Sequence, residues 1–157
     1  MGEVEGFLRE LEAGNIVCLD TVIFIYAFER HPSFGTAAQA VFRSVAEGRF
    51  RACASVLAAG EVFTGVKKAG NDELLMRYRD VFLRFPGLTL VDADIRIMER
   101  MADLRADYSL STPDAIHLAT ALIEDAPVFL TNDMDLQRVT AVRVLTLPDS
   151  LTPGRGR

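Results

Sequence analysis

The sequence predicts an α/β fold with a central, mostly parallel sheet covered by helices on both faces. Two observations carry that expectation. Short apolar runs alternate with helix-patterned stretches along the whole chain, as in successive βαβ units. The 157 residues, half of them hydrophobic and a quarter charged, suit one ordinary domain with a sizeable core. The domain is expected over residues 1–150, with the tail "LTPGRGR" frayed over 151–157.

The elements follow in order. Residues 3–13 read as a short helix stopped by Gly14-Asn15. Residues 16–20 read as the first strand, and 22–29 as a largely apolar helix ended by "RHPS". Ser33 is expected to cap a helix from Phe34 to about Glu47, where Phe34, Ala37, Ala38, Val41, Phe42, Val45 and Ala46 share a face. "FRACAS" is the second strand, followed by helices over 56–69 and 71–85, the latter stopped by Pro86. "LTLV" (88–91) is the third strand. Asp92 or Asp94 opens the next helix, with Ile97, Met101, Leu104 and Tyr108 in register. Thr112 is expected to cap a further helix with Pro113 at its first position, where a missing N–H costs nothing. "PVFLT" (127–131) and "VRVLTL" (142–147) complete a five-stranded sheet.

Composition narrows the function. Seventeen Lys and Arg against 22 Asp and Glu give a formal net charge of −5. That argues against bulk electrostatic attraction to nucleic acid, but not against a nucleic-acid enzyme whose metal-binding acids lower the charge themselves. No apolar run approaches a membrane span, and "MGEVEGFLRE" is unlike a signal peptide, so a cytoplasmic address is expected. Cys18 and Cys53 lie in apolar runs and read as core residues.

One residue breaks the apolar stretch "NIVCLDTVIFIYAFE". Asp20 is a lone carboxylate at the end of the first strand, and ligands bind parallel sheets at the carboxyl ends of their strands. Asp133, in "FLTNDMDL", stands in the same relation to the fourth strand. Asp114 opens the apolar helix "TPDAIHLATALI", and Glu61 is the only charge between Arg51 and Lys67. Singly, each acid has an ordinary explanation in helix dipoles or solvent. Together they converge on one edge, where their mutual repulsion calls for a hard divalent cation, Mg²⁺ or Mn²⁺. Thr131 could add a hydroxyl. Two histidines do not make a zinc site. His117, one turn after Asp114, could hydrogen-bond near the site but reads first as a structural residue.

"LDTVIFIYAF", "SVLAAGEVF", "TPDAIHLATAL" and "FLTNDMDL", in that order, resemble the PIN domain family, and within it the VapC-like ribonuclease toxins of type II toxin–antitoxin pairs. The resemblance runs from about Asn15 to Leu147. It implies a three-layer α/β/α sandwich and metal-dependent endonucleolytic cleavage of RNA. By position it makes Asp20, Glu61, Asp114 and Asp133 both catalytic residues and metal ligands, with Asp20 and Asp114 binding directly. Two departures stand out. Ala58 replaces a hydroxyl that the family often has three residues before the glutamate, and the helix over 3–13 precedes the usual first strand.

The resemblance also implies partners. An RNA substrate would meet cations at the rim, with Arg30, Arg43, Lys67 and Lys68 as candidates. A small antitoxin would lay an apolar segment beside the site, with Phe24, Phe28, Phe34 and Phe42 as candidate lining, at least half of them expected in the core. A homodimer is expected. The alternatives are a PIN nuclease acting in RNA processing or on structured DNA, and an inactive PIN-like binding module. A phosphate-cradling glycine loop is missing after the first strand, which excludes a dinucleotide-binding domain. Val22 two residues after Asp20, and the lack of a lysine after the fifth strand, exclude a dehalogenase-like phosphatase and a response-regulator receiver.

Overall fold

The computed structural model describes residues 2–149. The expected tail over 151–157 lies outside them. The order is α1 (Gly2–Gly14), β1 (Ile16–Leu19), α2 (Thr21–Phe28), α3 (Gly35–Ala46), β2 (Arg51–Ser55), α4 (Val56–Lys68), α5 (Asp72–Arg84), β3 (Leu88–Val91), α6 (Ile95–Tyr108), α7 (Thr112–Ile123), β4 (Val128–Thr131) and β5 (Arg143–Thr146). The five strands form one sheet in the order β3-β2-β1-β4-β5, and every pairing is parallel. The chain builds outward from β1 on one side, then crosses to build outward on the other. The crevice at that reversal opens between the carboxyl ends of β1 and β4.

Strand periodicity sorts the core into two layers. In β1, Val17 and Leu19 join the cluster built from α1 to α5, while Cys18 faces the cluster built from α6 and α7. Both sheet faces are therefore covered, which explains why these strands read as continuous apolar runs. The first layer has an aromatic centre: Phe24 lies 4.6 Å from Phe82 and 5.1 Å from Phe42, and Phe63 meets Phe82 edge-on. Pairs of this kind contribute about 0.5–1.5 kcal/mol beyond their buried area. In the second layer, Cys18 and Cys53 are register partners on adjacent strands, both buried free thiols. Their mutual hydrogen bond and burial push the Cys18 thiol well up, so it is an inert core residue.

The additional helix α1 is anchored. Leu8 and Leu11 are buried against the first layer, and Arg49 ties it down through Glu5 at 2.6 Å and Glu12 at 2.9 Å.

Two caps differ from expectation. Ser33 does not cap α3. Phe34 stands at the cap position with no side-chain bond, and the first helical residue is Gly35. Gly35 N–H, which a Ser33 cap would accept, bonds His31 C=O at 2.8 Å instead, while His31 Nδ1 accepts the N–H groups of Ser33 and Phe34. At α7, Ser111 rather than Thr112 is the cap, its Oγ accepting from Asp114 N–H at 3.3 Å, so Pro113 falls at the second helical position. Asp94, of the two candidates, caps α6. A 3₁₀ turn over Met134–Arg138 was not expected.

The turn between α2 and α3 is tight. His31 N–H closes back on Tyr26 C=O at 3.0 Å, the closing bond of a Schellman turn in which Arg30 takes a left-handed conformation (φ 52°). Gly35 packs beneath it, and a Cβ there would sit 2.8 Å from the Arg30 carbonyl carbon. Gly35→Ala is expected to cost about 1–3 kcal/mol of stability through this backbone clash, read as a lower midpoint in urea unfolding. An unchanged midpoint would show that the turn gives way freely.

Candidate active site

Asp20 leaves the sheet at the centre of the carboxyl edge. Its backbone N–H bonds Leu130 C=O at 2.9 Å, which pins β1 to β4 at the crevice. Its carboxylate caps α2 by accepting Thr21 N–H at 2.7 Å on Oδ1. Oδ2 accepts the Thr131 hydroxyl, also at 2.7 Å, from the end of β4. Thr131 is fully buried, and its Oγ1 in turn accepts Asp133 N–H. One hydroxyl therefore links the two strand-end acids.

α4 comes from one layer and α7 from the other, and they meet over this edge. His117, 2% exposed, brings its Nε2 to 2.8 Å from Glu61 Oε1 and 3.8 Å from Asp20 Oδ1. The Thr21 hydroxyl donates to the same Glu61 oxygen at 2.9 Å and lies 3.2 Å from His117 Nε2. A nitrogen between two carboxylates carries the proton, so Nε2 is the donor. His117 Nδ1 is buried without a partner among the described residues.

These contacts set the electrostatics. Burial pushes the Asp20 carboxyl above its ordinary range. His117, Thr131 and the Thr21 N–H pull it down, and the charge of Asp114 pushes it up. Glu61 is held below its ordinary range, first by the His117 hydrogen bond and also by Thr21, against some burial. Thus the support for Glu61 that Ala58 fails to give comes from Thr21 and His117 instead.

The four sequence-predicted acids are not equally placed. Asp20 is mostly buried, Asp114 is half-buried at the start of α7, and Glu61 keeps 41% of its side chain in solvent. Asp133 is exposed, with Oδ1 accepting Asp135 N–H at 3.0 Å to cap the 3₁₀ turn. Among the described residues, no three Asp, Glu, His or Cys side chains stand as a group able to hold a metal ion. The donor set itself suits a hard cation. Asp20 keeps a free lone pair on each oxygen, its charge is costly as buried, and Asp114 adds a like charge.

Thr21 is the residue that sequence reasoning missed in this network, while His117 holds the position that was the lesser of its two readings, a hydrogen bond near the site. The signal for His117 was its place one helical turn from Asp114. Thr21 showed only as the neighbour of Asp20, since its partner Glu61 is 40 positions away.

Beside the site runs an apolar groove of about 230 Å³ between α2, α4 and α5. Ile25, Phe28, Val62, Val66, Leu74 and Tyr78 line it, with Glu61 and Glu29 among its walls. Of the four phenylalanines expected there, only Phe28 is in the lining. Phe24 and Phe42 are core, and Phe34 stacks on Tyr26. No helix among the described residues is long and apolar enough to cross a membrane.

Solved structures with this architecture include members of toxin–antitoxin complexes. A complex of VapBC2 from Rickettsia felis with a promoter DNA fragment has a chain 21% identical over 84% of this chain and 98% of its own, with a TM-score of 0.69. A toxin–antitoxin complex from Klebsiella pneumoniae gives 27% identity over 83% and 96%, with a TM-score of 0.62. VapC20 of Mycobacterium tuberculosis, described as a toxin that cleaves the sarcin–ricin loop, gives 13% identity over 81% and 98%, with a TM-score of 0.62. No curated protein matches by sequence. A family model described as PIN domain matches residues 17–142, a span running from β1 to the start of the last strand and containing every acid of the site, and the chain belongs to the PIN domain family.

Proposed function

We propose that the protein is a metal-dependent endoribonuclease and the toxin of a toxin–antitoxin pair. The observation that carries this reading is the buried Asp20 carboxylate. It is held by Thr21 and Thr131 at the sheet reversal, with Asp114 near enough to add its charge. Such an acid is costly without a cation and useful with one. Mg²⁺ or Mn²⁺ held by Asp20 and Asp114, with Glu61 and Asp133 binding directly or through water, would acidify water and neutralise charge on a phosphodiester in transition. The chain's own part is positional. Thr131 and the Thr21 N–H fix the Asp20 carboxylate, and His117 with the Thr21 hydroxyl holds Glu61 over the same edge.

The groove supports the partner. An apolar channel ending at a glutamate suits a short amphipathic segment of a small antitoxin, with a basic residue reaching Glu61. The complexes formed by the similar solved structures favour the same assembly. A cytoplasmic address and a homodimer complete the reading.

The test is cleavage of total RNA by the purified protein. Millimolar Mg²⁺ or Mn²⁺ is expected to give discrete fragments, chelation to abolish them, and co-expression with a small neighbouring gene to suppress them. A protein inert with every divalent ion would favour the inactive binding module. Cleavage that no neighbouring gene affects would favour an RNA-processing nuclease.

A further inference from the structure

We propose that Tyr26, His31 and Phe34 form a stacking subsite for one unpaired base of the RNA, a proposal that rests on the nuclease reading above. These rings belong to the stretch "YAFERHPSF". Tyr26 and Phe34 pack against the edge of the first-layer core without being enclosed by it. Phe24, Phe42 and Phe82 are buried in the first layer, whereas Tyr26, His31 and Phe34 are each partly open to solvent. They pack as a group, with Tyr26 stacked on Phe34 at 5.5 Å and 16°, and His31 at 4.3 Å from Tyr26 and 5.3 Å from Phe34.

The group is joined to the acid edge. Asn132 Nδ2 donates to the Tyr26 hydroxyl at 3.3 Å. Asn132 lies between Thr131, which holds Asp20, and Asp133. Along α2, Tyr26 is about 9 Å beyond Asp20 at 1.5 Å per residue. A base beside the cleaved phosphate falls within that reach.

The platform is also rigid before anything binds. The Schellman bond from His31 to Tyr26, the two N–H groups accepted by His31 Nδ1, and the close approach of Gly35 fix the rings in place. Ordering them on binding therefore costs little. Arg30, exposed at the apex of the turn, makes no ion pair among the described residues and offers a cation to the backbone phosphate. Glu29, its neighbour, lines the apolar groove. Aromatic faces beside a cation recognise single-stranded nucleic acid, because only an unpaired base has a free face to give.

The test uses the whole protein and a short single-stranded RNA, with chelator present so that nothing is cut. Binding is followed by fluorescence anisotropy, and each nucleotide is replaced in turn by an abasic residue. At one position the abasic change is expected to weaken wild-type binding about tenfold. Tyr26→Leu and Phe34→Leu, checked as folded by circular dichroism, are expected to bind the intact RNA about tenfold more weakly and to be indifferent to that abasic change. Tyr26→Phe keeps the ring face and is expected to bind as wild type. Equal binding by wild type and Tyr26→Leu, loss of antitoxin binding alone in Tyr26→Leu, or no dependence on any base would overturn the proposal. Base-dependent binding without metal-dependent cleavage would uphold the subsite and refute the nuclease reading. Cleavage without base dependence would do the reverse.

Discussion

Asp20→Asn is expected to yield a folded protein that no longer cuts RNA. Asparagine keeps the shape. Its oxygen can still accept Thr21 N–H, and its amide can donate to the Thr131 hydroxyl, which turns to accept. What disappears is one negative charge beside Asp114. Cleavage should fall at least about 100-fold, because the strongest proposed ligand is lost and the rest are misplaced. Stability without metal should hold or rise. The Asp20 carboxyl titrates above its ordinary range in the fold. Its favourable contribution is therefore complete below the unfolded carboxylate pKa and is lost as pH rises through the folded one. Asparagine escapes that loss, so its gain in melting temperature should appear at neutral pH and vanish in acid. A variant that cuts at the native rate would remove Asp20 from the chemistry. One that fails to fold would make it structural.

His117→Leu is the second large effect expected. Leucine fills the buried space but leaves Glu61 held by the Thr21 hydroxyl alone. Glu61 keeps much of its side chain in water, so the change in overall stability should be small. Cleavage should fall about 10- to 100-fold, the usual cost of removing a group that orients a ligand. His117→Gln, which can place a donor at similar reach, should recover part of that loss. Glu61 titrates below its ordinary range, first because of His117, so its contribution is present above the unfolded glutamate pKa and lost as pH falls through the folded one. In His117→Leu the acid limb of both stability and activity should therefore move to higher pH. A variant with wild-type rate and an unmoved acid limb would return His117 to the purely structural role that its sequence position suggests.

The fold was legible because its signals are local and repeated. Apolar strands such as "IVCL" and "VFLT" and the helical faces of α3 and α6 are written in consecutive residues. Strand ends then located Asp20 and Asp133, and an apolar helix start located Asp114. Helix starts were less legible, since capping is a competition among neighbours. His31 C=O takes the Gly35 N–H expected for Ser33, and Ser111 displaces Thr112 by one residue. The 3₁₀ turn after Asp133 is too short to show a period. The Thr21–Glu61–His117 network was hidden for a different reason. It exists only where α4 and α7, from opposite layers, meet over the sheet edge. The groove misled in the same way, because which phenylalanines face inward depends on how α2 packs on α3 and α5.

The central claim is that these carboxylates form one divalent-cation site. Among the described residues they are not already gathered into a cage, so binding should draw Asp20 and Asp114 together and relieve their repulsion. Thermal unfolding in chelator and then in Mn²⁺ measures this directly. At an ion concentration about 100 times its Kd, wild type should gain about 2.7 kcal/mol, and Asp20→Asn and Asp114→Asn should gain far less. Identical melting curves for wild type with and without millimolar Mn²⁺, or an equal shift in all three proteins, would contradict the account.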